Sequence, residues 1–201
     1  MSPARTNEER SRTTRTRLIA AGRQLFAEQG YAATSMTQVA RTAQLSTGAL
    51  YHHWPTKPEL LASVVDAIHH DLACEITREI ARHAPLTRDP LARIQQAAEV
   101  FLARCATRDV AQILLVDGPS VLGATWIELD HRWWHAPTME LLDEAVDNGA
   151  LVAADSALLA SALLGSLTAL GRAFSTDPAD ERLRAARATL ATLIDGLRTR
   201  G

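Results

Sequence analysis

Between Thr34 and Lys57 the chain reads TSMTQVARTAQLSTGALYHHWPTK. The hydroxyls, imidazoles, phenol and ammonium of that stretch are the groups that hydrogen-bond to phosphates and base edges. Their spacing lets them act together. Ser35 followed by Gln38 is a capping box, so a helix starts near Thr34. Met36, Val39, Ala40 and Ala43 share one face of it. Ser46 caps a second helix, with Leu50 and Trp54 turned inward and Thr47, Gly48, Ala49, Tyr51 and His52 turned out. Pro55 ends that helix, because a residue before proline disfavours helical dihedrals. Two short helices about a tight turn, the second beginning with small residues, make a helix-turn-helix able to enter a major groove.

A second tract carries different chemistry. Trp126 to Met139, WIELDHRWWHAPTM, holds three of the four tryptophans and two histidines. Such a mixture lines an apolar pocket with a few polar anchors, or else the tryptophans simply pack between helices. Phe101, Leu102, Cys105, Leu115 and Val116 supply the facing wall. The expected ligand contacts are Phe101, Cys105, Val116, Trp126, Trp133, Trp134 and Met139. His131 and His135 lie four apart, so one helical face presents both imidazoles. No third ligand accompanies them, and no metal is expected. His69-His70-Asp71 reads as partly solvated surface or pocket wall, since adjacent side chains diverge on a helix.

The stretch GYAATSMTQVARTAQLSTGALYHHWPTKPELL resembles the DNA-binding domain of the tetracycline-repressor (TetR) family of bacterial regulators. The detailed likeness runs from about Arg15 to Leu61; beyond it only the order of elements fits. The resemblance implies an all-α homodimer with a small-molecule pocket in its C-terminal domain. It implies that Thr47, Ala49 and His52 read bases, with Gly48 permitting close approach. It places Tyr51, His53 and Lys57 at or near the DNA backbone, and Thr34, Ser35 and Thr37 at the phosphate-binding start of the first motif helix. Two positions depart from the family pattern. Gln44 occupies a turn position where glycine is usual, and a left-handed dihedral there costs a glutamine roughly 1 kcal/mol. Trp54 stands where phenylalanine is commoner.

The remaining elements must position these two tracts. Residues 1–13 read as disordered, and Thr14 to Gln29 as a helix closed by Gly30. A long helix from Pro58 to Arg82 bridges head and body. Ala84 to Asp89 reads as a loop, followed by helices from Pro90 to Ala106 and from Asp109 to Leu115. Asp117-Gly118-Pro119 reads as a break, and helical pattern then runs to Asn148. Of the last two helices, Asp155 to Phe174 is apolar on more than one face, and Asp180 to Arg198 carries Leu183, Leu190, Leu193, Ile194 and Leu197 along one stripe. They either close a monomer core or pair two subunits as a four-helix bundle; the symmetry of helix-turn-helix proteins favours the dimer. The domains expected are a DNA-binding head over 1–57 and an effector-binding, dimerising body over 58–201.

Composition narrows the function. The 201 residues carry a net charge of −2, yet residues 1–60 sum to +4 and residues 61–201 to −6. A basic head on an acidic body meets phosphate with one end. Arg10, Arg12, Arg15 and Arg17 form a basic cluster that is either an arm touching DNA or a solvated tail. The run Ala157 to Leu170 is too short for a bilayer span and contains Ser and Gly, so no membrane partner is expected. A polar N-terminus and two cysteines without metal-ligand spacing point to a reduced cytoplasm. No glycine-rich phosphate loop, GxSxG elbow or nucleophilic Cys/His context is present, and the carboxylates of Asp143, Glu144 and Asp147 form a solvated helix face. The expected protein is therefore no enzyme and holds no cofactor. It is a regulator that binds double-stranded operator DNA and a small apolar or aromatic effector, most simply as a repressor. An architectural DNA-binding protein, or an enzyme bearing a helix-turn-helix, are the alternatives.

Overall fold

The computed structural model describes residues 7–82, 88–152, 154–176 and 179–199, and within them the fold is all-α. Helix α1 (Asn7–Ala33) begins earlier than expected: Asn7 to Thr13 are helical, with Glu8 and Glu9 placed against the positive end of the helix. Residues 1–6 lie outside the described residues. Gly30, at φ 81°, turns the chain out of regular helix. Helices α2 (Met36–Thr42) and α3 (Thr47–His53) follow. Both halves of the predicted capping box form. Gln38 N–H donates to Ser35 Oγ at 3.2 Å, and Ser35 N–H donates to Gln38 Oε1 at 2.7 Å. Ser46 Oγ accepts from Ala49 N–H at 3.1 Å.

Gln44 is left-handed, at φ 54°. Its N–H donates to Arg41 O and that of Leu45 to Ala40 O, each at 2.9 Å. That pair of bonds is a Schellman closure, which forces the positive φ. Gln44→Gly should therefore raise stability by about 0.5–1 kcal/mol. Denaturant midpoints compare the two proteins; an equal or lower midpoint for the variant would show that the turn is not strained.

Helix α4 (Lys57–Arg82) runs 26 residues, about 39 Å. Leu60, Leu61, Val64, Val65, Ile68, Leu72 and Ile76 bury one face of it. Gly22 lets α1 approach, since a Cβ there would lie 3.3 Å from Val64. Helix α5 (Pro90–Arg104) starts at the expected cap, where Asp89 accepts from Leu91 N–H at 2.9 Å. Of the expected loop before it, residues 84–87 lie outside the described residues.

The next stretch departs from expectation. Asp109–Asp117 is a π-helix, here π1, and the chain continues without a break into α6 (Gly118–Leu122). Pro119 stands in the first turn of α6. The interruption comes instead at Gly123, at φ 52°. Then follow α7 (Ala124–Asp130), the π-turn His131–His135, α8 (Ala136–Asp147), α9 (Ser156–Ser175) and α10 (Asp180–Asp195).

Two buried clusters organise these helices. One joins the head to α4, π1 and Phe174; the other joins α5, α8, α9 and α10. Helix α9 starts at the expected Asp155 cap and ends one residue past the expected Phe174, so it extends beyond the apolar run Ala157 to Leu170 at both ends. At 20 residues and a mean hydropathy of 1.5 it is long and apolar enough to cross a bilayer by length and composition, with 22% of that stretch buried. Its outer face is bare: Leu158 is 70% exposed, and Ala162, Gly165 and Ala169 are exposed below it.

Candidate nucleic-acid interface and ligand cavity

The outward side chains of α3 stand at the surface. Tyr51 is 48% exposed although it is a large aromatic, and Thr37, Gly48 and His52 are exposed beside it. Thr47, Ala49 and His53 are half-buried. His53 lies edge-on to His52 and tilted against Trp54. Burial, then the neighbouring His52 and Arg15, hold its pKa below the ordinary 6.5. Trp54 is buried, and its indole donates to Ser63 Oγ of α4 at 2.8 Å. That bond fixes the end of the recognition helix to the long helix.

Several polar groups expected at DNA are occupied within the head. Thr34 is 2% exposed; its hydroxyl donates to Gly30 O and accepts from Gln29 Nε2. Its assignment as a surface phosphate ligand is corrected, because the Gly30 turn draws it inward. Ser35 is exposed but serves as the cap. Lys57 Nζ donates to Tyr31 O at 2.8 Å and Thr34 O at 2.9 Å, and sits 4.1 Å above the Tyr31 ring. An ammonium has three hydrogens, so one is left for an anion. Arg15 lies over the Trp54 ring, and Arg17 donates to Ala43 O at 2.6 Å. These two arginines belong to the folded head rather than to a flexible arm, while Arg10 and Arg12 project from the exposed start of α1.

A cavity of about 480 Å³ opens in the body. Phe101, Leu115, Trp126, Trp133 and Trp134 line it. Trp133 donates from its indole to Asp66 at 2.8 Å, and Arg132 pairs with the same oxygen at 2.6 Å. Trp134 donates to His69 Nδ1 at 2.8 Å. Burial drives the His69 pKa down to about 4; Asp66 partly opposes that and Arg132 adds to it. Burial pushes the Asp130 carboxyl up, against the pull of His135 and His131. The His131 and His135 rings stack 4.9 Å apart, and His135 Nε2 lies 2.9 Å from Ser161 Oγ and 3.1 Å from Ala157 O. Among the described residues no group of three His, Cys, Asp or Glu side chains is placed to hold a metal.

Cavity and head share a part. Leu114 and Leu115 of π1 line the cavity, and both ends of π1 are tied to α1. Arg23 donates to Asp109 Oδ2 at 2.5 and 2.9 Å and to Asp71 of α4 at 2.5 Å. Tyr31 N–H donates to Asp117 Oδ2 at 2.9 Å. Burial of π1 side chains and this pair of ties connect the ligand space to the DNA-facing head.

Residues 18–64 match the profile described as bacterial regulatory proteins, tetR family, and residues 91–197, more than half of the chain, match the tetracyclin repressor-like C-terminal domain. The chain belongs to the TetR family. The family and its relatives are transcriptional regulators, not enzymes. TetR-family regulators bind operator DNA and small-molecule effectors and are usually dimers. The chain is 35% identical over 103 residues to the transcriptional regulator CymR of Pseudomonas putida. That match spans about half the length of each protein, 51% of both. A TetR-family regulator from Pectobacterium atrosepticum shares the fold at a TM-score of 0.79 and 28% identity, over 98% of this chain and 99% of that one. FadR of Bacillus subtilis, solved in complex with stearoyl-CoA, shares the fold at 0.76 and 15% identity, over 89% and 96%.

Within this TetR-family chain, four expected wall residues lie elsewhere. Cys105 and Leu102 are fully buried in the two cores, and burial pushes the Cys105 thiol up to about 12. Val116 is 51% exposed, because the wider π winding turns Leu114 and Leu115 to the cavity instead. Met139 packs against the second core. Sequence reasoning missed wall residues on α4 (Ile76 and Ile80), on α5 (Ile94 and Ala98) and on the inner faces of α9 and α10 (Leu163, Leu164, Leu167, Thr168, Leu190 and Ile194). On α9 an apolar pattern on more than one face was the available signal, but it reads equally as core or interface.

Proposed function

We propose that this TetR-family protein is a ligand-responsive transcriptional regulator, a repressor released from its operator by a small apolar or aromatic molecule. Residues 1–57 act as the DNA-reading head and 58–201 as the effector-binding and dimerising body. The observation that carries the reading is the joint one. An exposed Thr37–Tyr51–His52 surface stands on a capped helix-turn-helix, and an apolar cavity shares α4 and π1 with its support. The bare outer faces of α9 and α10 support a homodimer. Gly165 leaves room for a close second helix, while the inner face of α9 is already spent on the cavity. A symmetric pair sets recognition helices about 34 Å apart for successive major grooves. Ligand in the cavity favours a spacing that DNA does not accept, and so shifts the population toward the released state. Such a protein acts in the cytoplasm.

Tyr51→Ala should weaken operator binding about tenfold without changing the melting temperature, since the ring is exposed. Lys57→Ala should weaken it similarly and flatten the salt dependence by about one unit of slope. It should also lower the melting temperature, because the carbonyls of Tyr31 and Thr34 lose their donor. Gel-shift titrations at several salt concentrations, with the dimer followed by size exclusion, measure both. Unchanged affinity in either variant removes that residue from the interface.

A further inference from the structure

We propose that the cavity takes an apolar ligand bearing one neutral hydrogen-bond acceptor, a ketone, aldehyde or ester oxygen, which His69 receives through its Nε2–H. The proposal rests on the reading of the cavity as the effector site and names what that site selects.

The indole of Trp134 can only donate. Its N–H points at His69 Nδ1, so Nδ1 must carry the lone pair and the neutral ring must carry its proton on Nε2. His69 is 2% exposed and lines the cavity, yet Nε2 has no hydrogen-bond partner. A buried donor left unpaired is unfavourable, and an acceptor on the ligand would relieve it. The ring is braced for that task by Trp126 and Trp134, 5.8 and 5.6 Å away.

The surroundings decide the charge of the ligand. Leu, Ile and Trp side chains make up most of the wall, so a dehydrated anion would be poorly held. Arg132, the wall's cation, is paired with Asp66, and the Asp130 carboxyl on the same wall opposes a second negative charge. Protonating His69 to meet an anion would set a second N–H against the indole N–H. A neutral oxygen meets none of these obstacles. His69 also sits on α4, whose first turns support the head, so the bond would form on an element that joins both sites.

The test uses a matched pair of probes, benzophenone and diphenylmethane, which differ in one carbonyl oxygen. Calorimetric titration of the full chain should show benzophenone bound about tenfold tighter. In His69→Leu the two should bind within about a factor of two of each other. In His69→Gln, which restores a donor, the preference should return. A wild-type protein that binds both equally overturns the proposal, as does a preference that survives in His69→Leu. Failure of both probes to bind overturns the proposal together with the cavity as ligand site. Operator release by benzophenone is a separate readout. Selective binding that leaves the operator occupied upholds the role of His69 and counts against the effector reading.

Discussion

Gly118→Ala should destabilise the protein by about 2–3 kcal/mol and lower its melting temperature by roughly 4–12 °C. Gly118 is buried where π1 passes into α6. A Cβ there would lie 2.6 and 2.8 Å from two carbons of the Trp126 ring and 2.9 Å from the carbonyl oxygen of Ile113. Neither neighbour yields easily. Ile113 O accepts the Gly118 N–H that closes the π-helix, so moving it strains the backbone. The Trp126 ring is part of the cavity wall, so displacing it alters the ligand space. The variant should therefore lose probe binding as well as stability, while Tyr51 and His52 stay exposed on α3. Thermal melts at one fixed protein concentration read the first effect, since association makes melting concentration-dependent. Calorimetry reads the second. An unchanged melt would mean that Trp126 does not pack against Gly118 in solution.

Acid should weaken the fold through His69. The unfolded chain takes up this proton near pH 6.5, but the folded protein resists until about pH 4. Its contribution is complete above pH 6.5 and is lost as pH falls toward 4, by roughly 3 kcal/mol in all. Between pH 7 and 4.5 the loss is about 2.5 kcal/mol. His53, also held low by burial, adds in the same direction. Asp130, with its carboxyl pushed up, opposes it, because the fold then binds that proton more readily. Asp109 and Asp89, both held low, contribute stability that is lost as pH falls through the ordinary carboxylate value and below it, mostly under this window. Urea denaturation at pH 7 and 4.5 should show the loss in the wild type and its near absence in His69→Gln. Equal losses in both would assign the acid sensitivity to other groups.

The head was legible because its determinants are local. Ser35 with Gln38, Ser46 with Ala49, Asp89 before Pro90 and Gly149 after α8 act within one turn of themselves, and each forms the cap its spacing implies. The inward placing of Leu50 and Trp54 and the outward placing of Tyr51 and His52 follow from one helical period. The positive φ of Gln44 followed from its place in the turn.

The ligand space was legible only in part, and the boundary has a physical cause. The tryptophan-rich tract could be recognised as a wall by its types alone. Which side chains face the cavity depends on the π winding of Asp109–Asp117, and that winding answers to contacts distant in sequence: Arg23 with Asp109, Tyr31 with Asp117. The same distance hid the use of polar groups. Whether Lys57 meets phosphate or the carbonyls of Tyr31 and Thr34, and whether His69 meets water or Trp134, depends on elements folded against one another. The chain alone determined the helices of the head, their caps and which side chains of α3 turn outward, because those are settled by neighbours within four residues. Tertiary structure alone decided the cavity and the state of its histidine, because burial and partner choice belong to no single stretch of sequence.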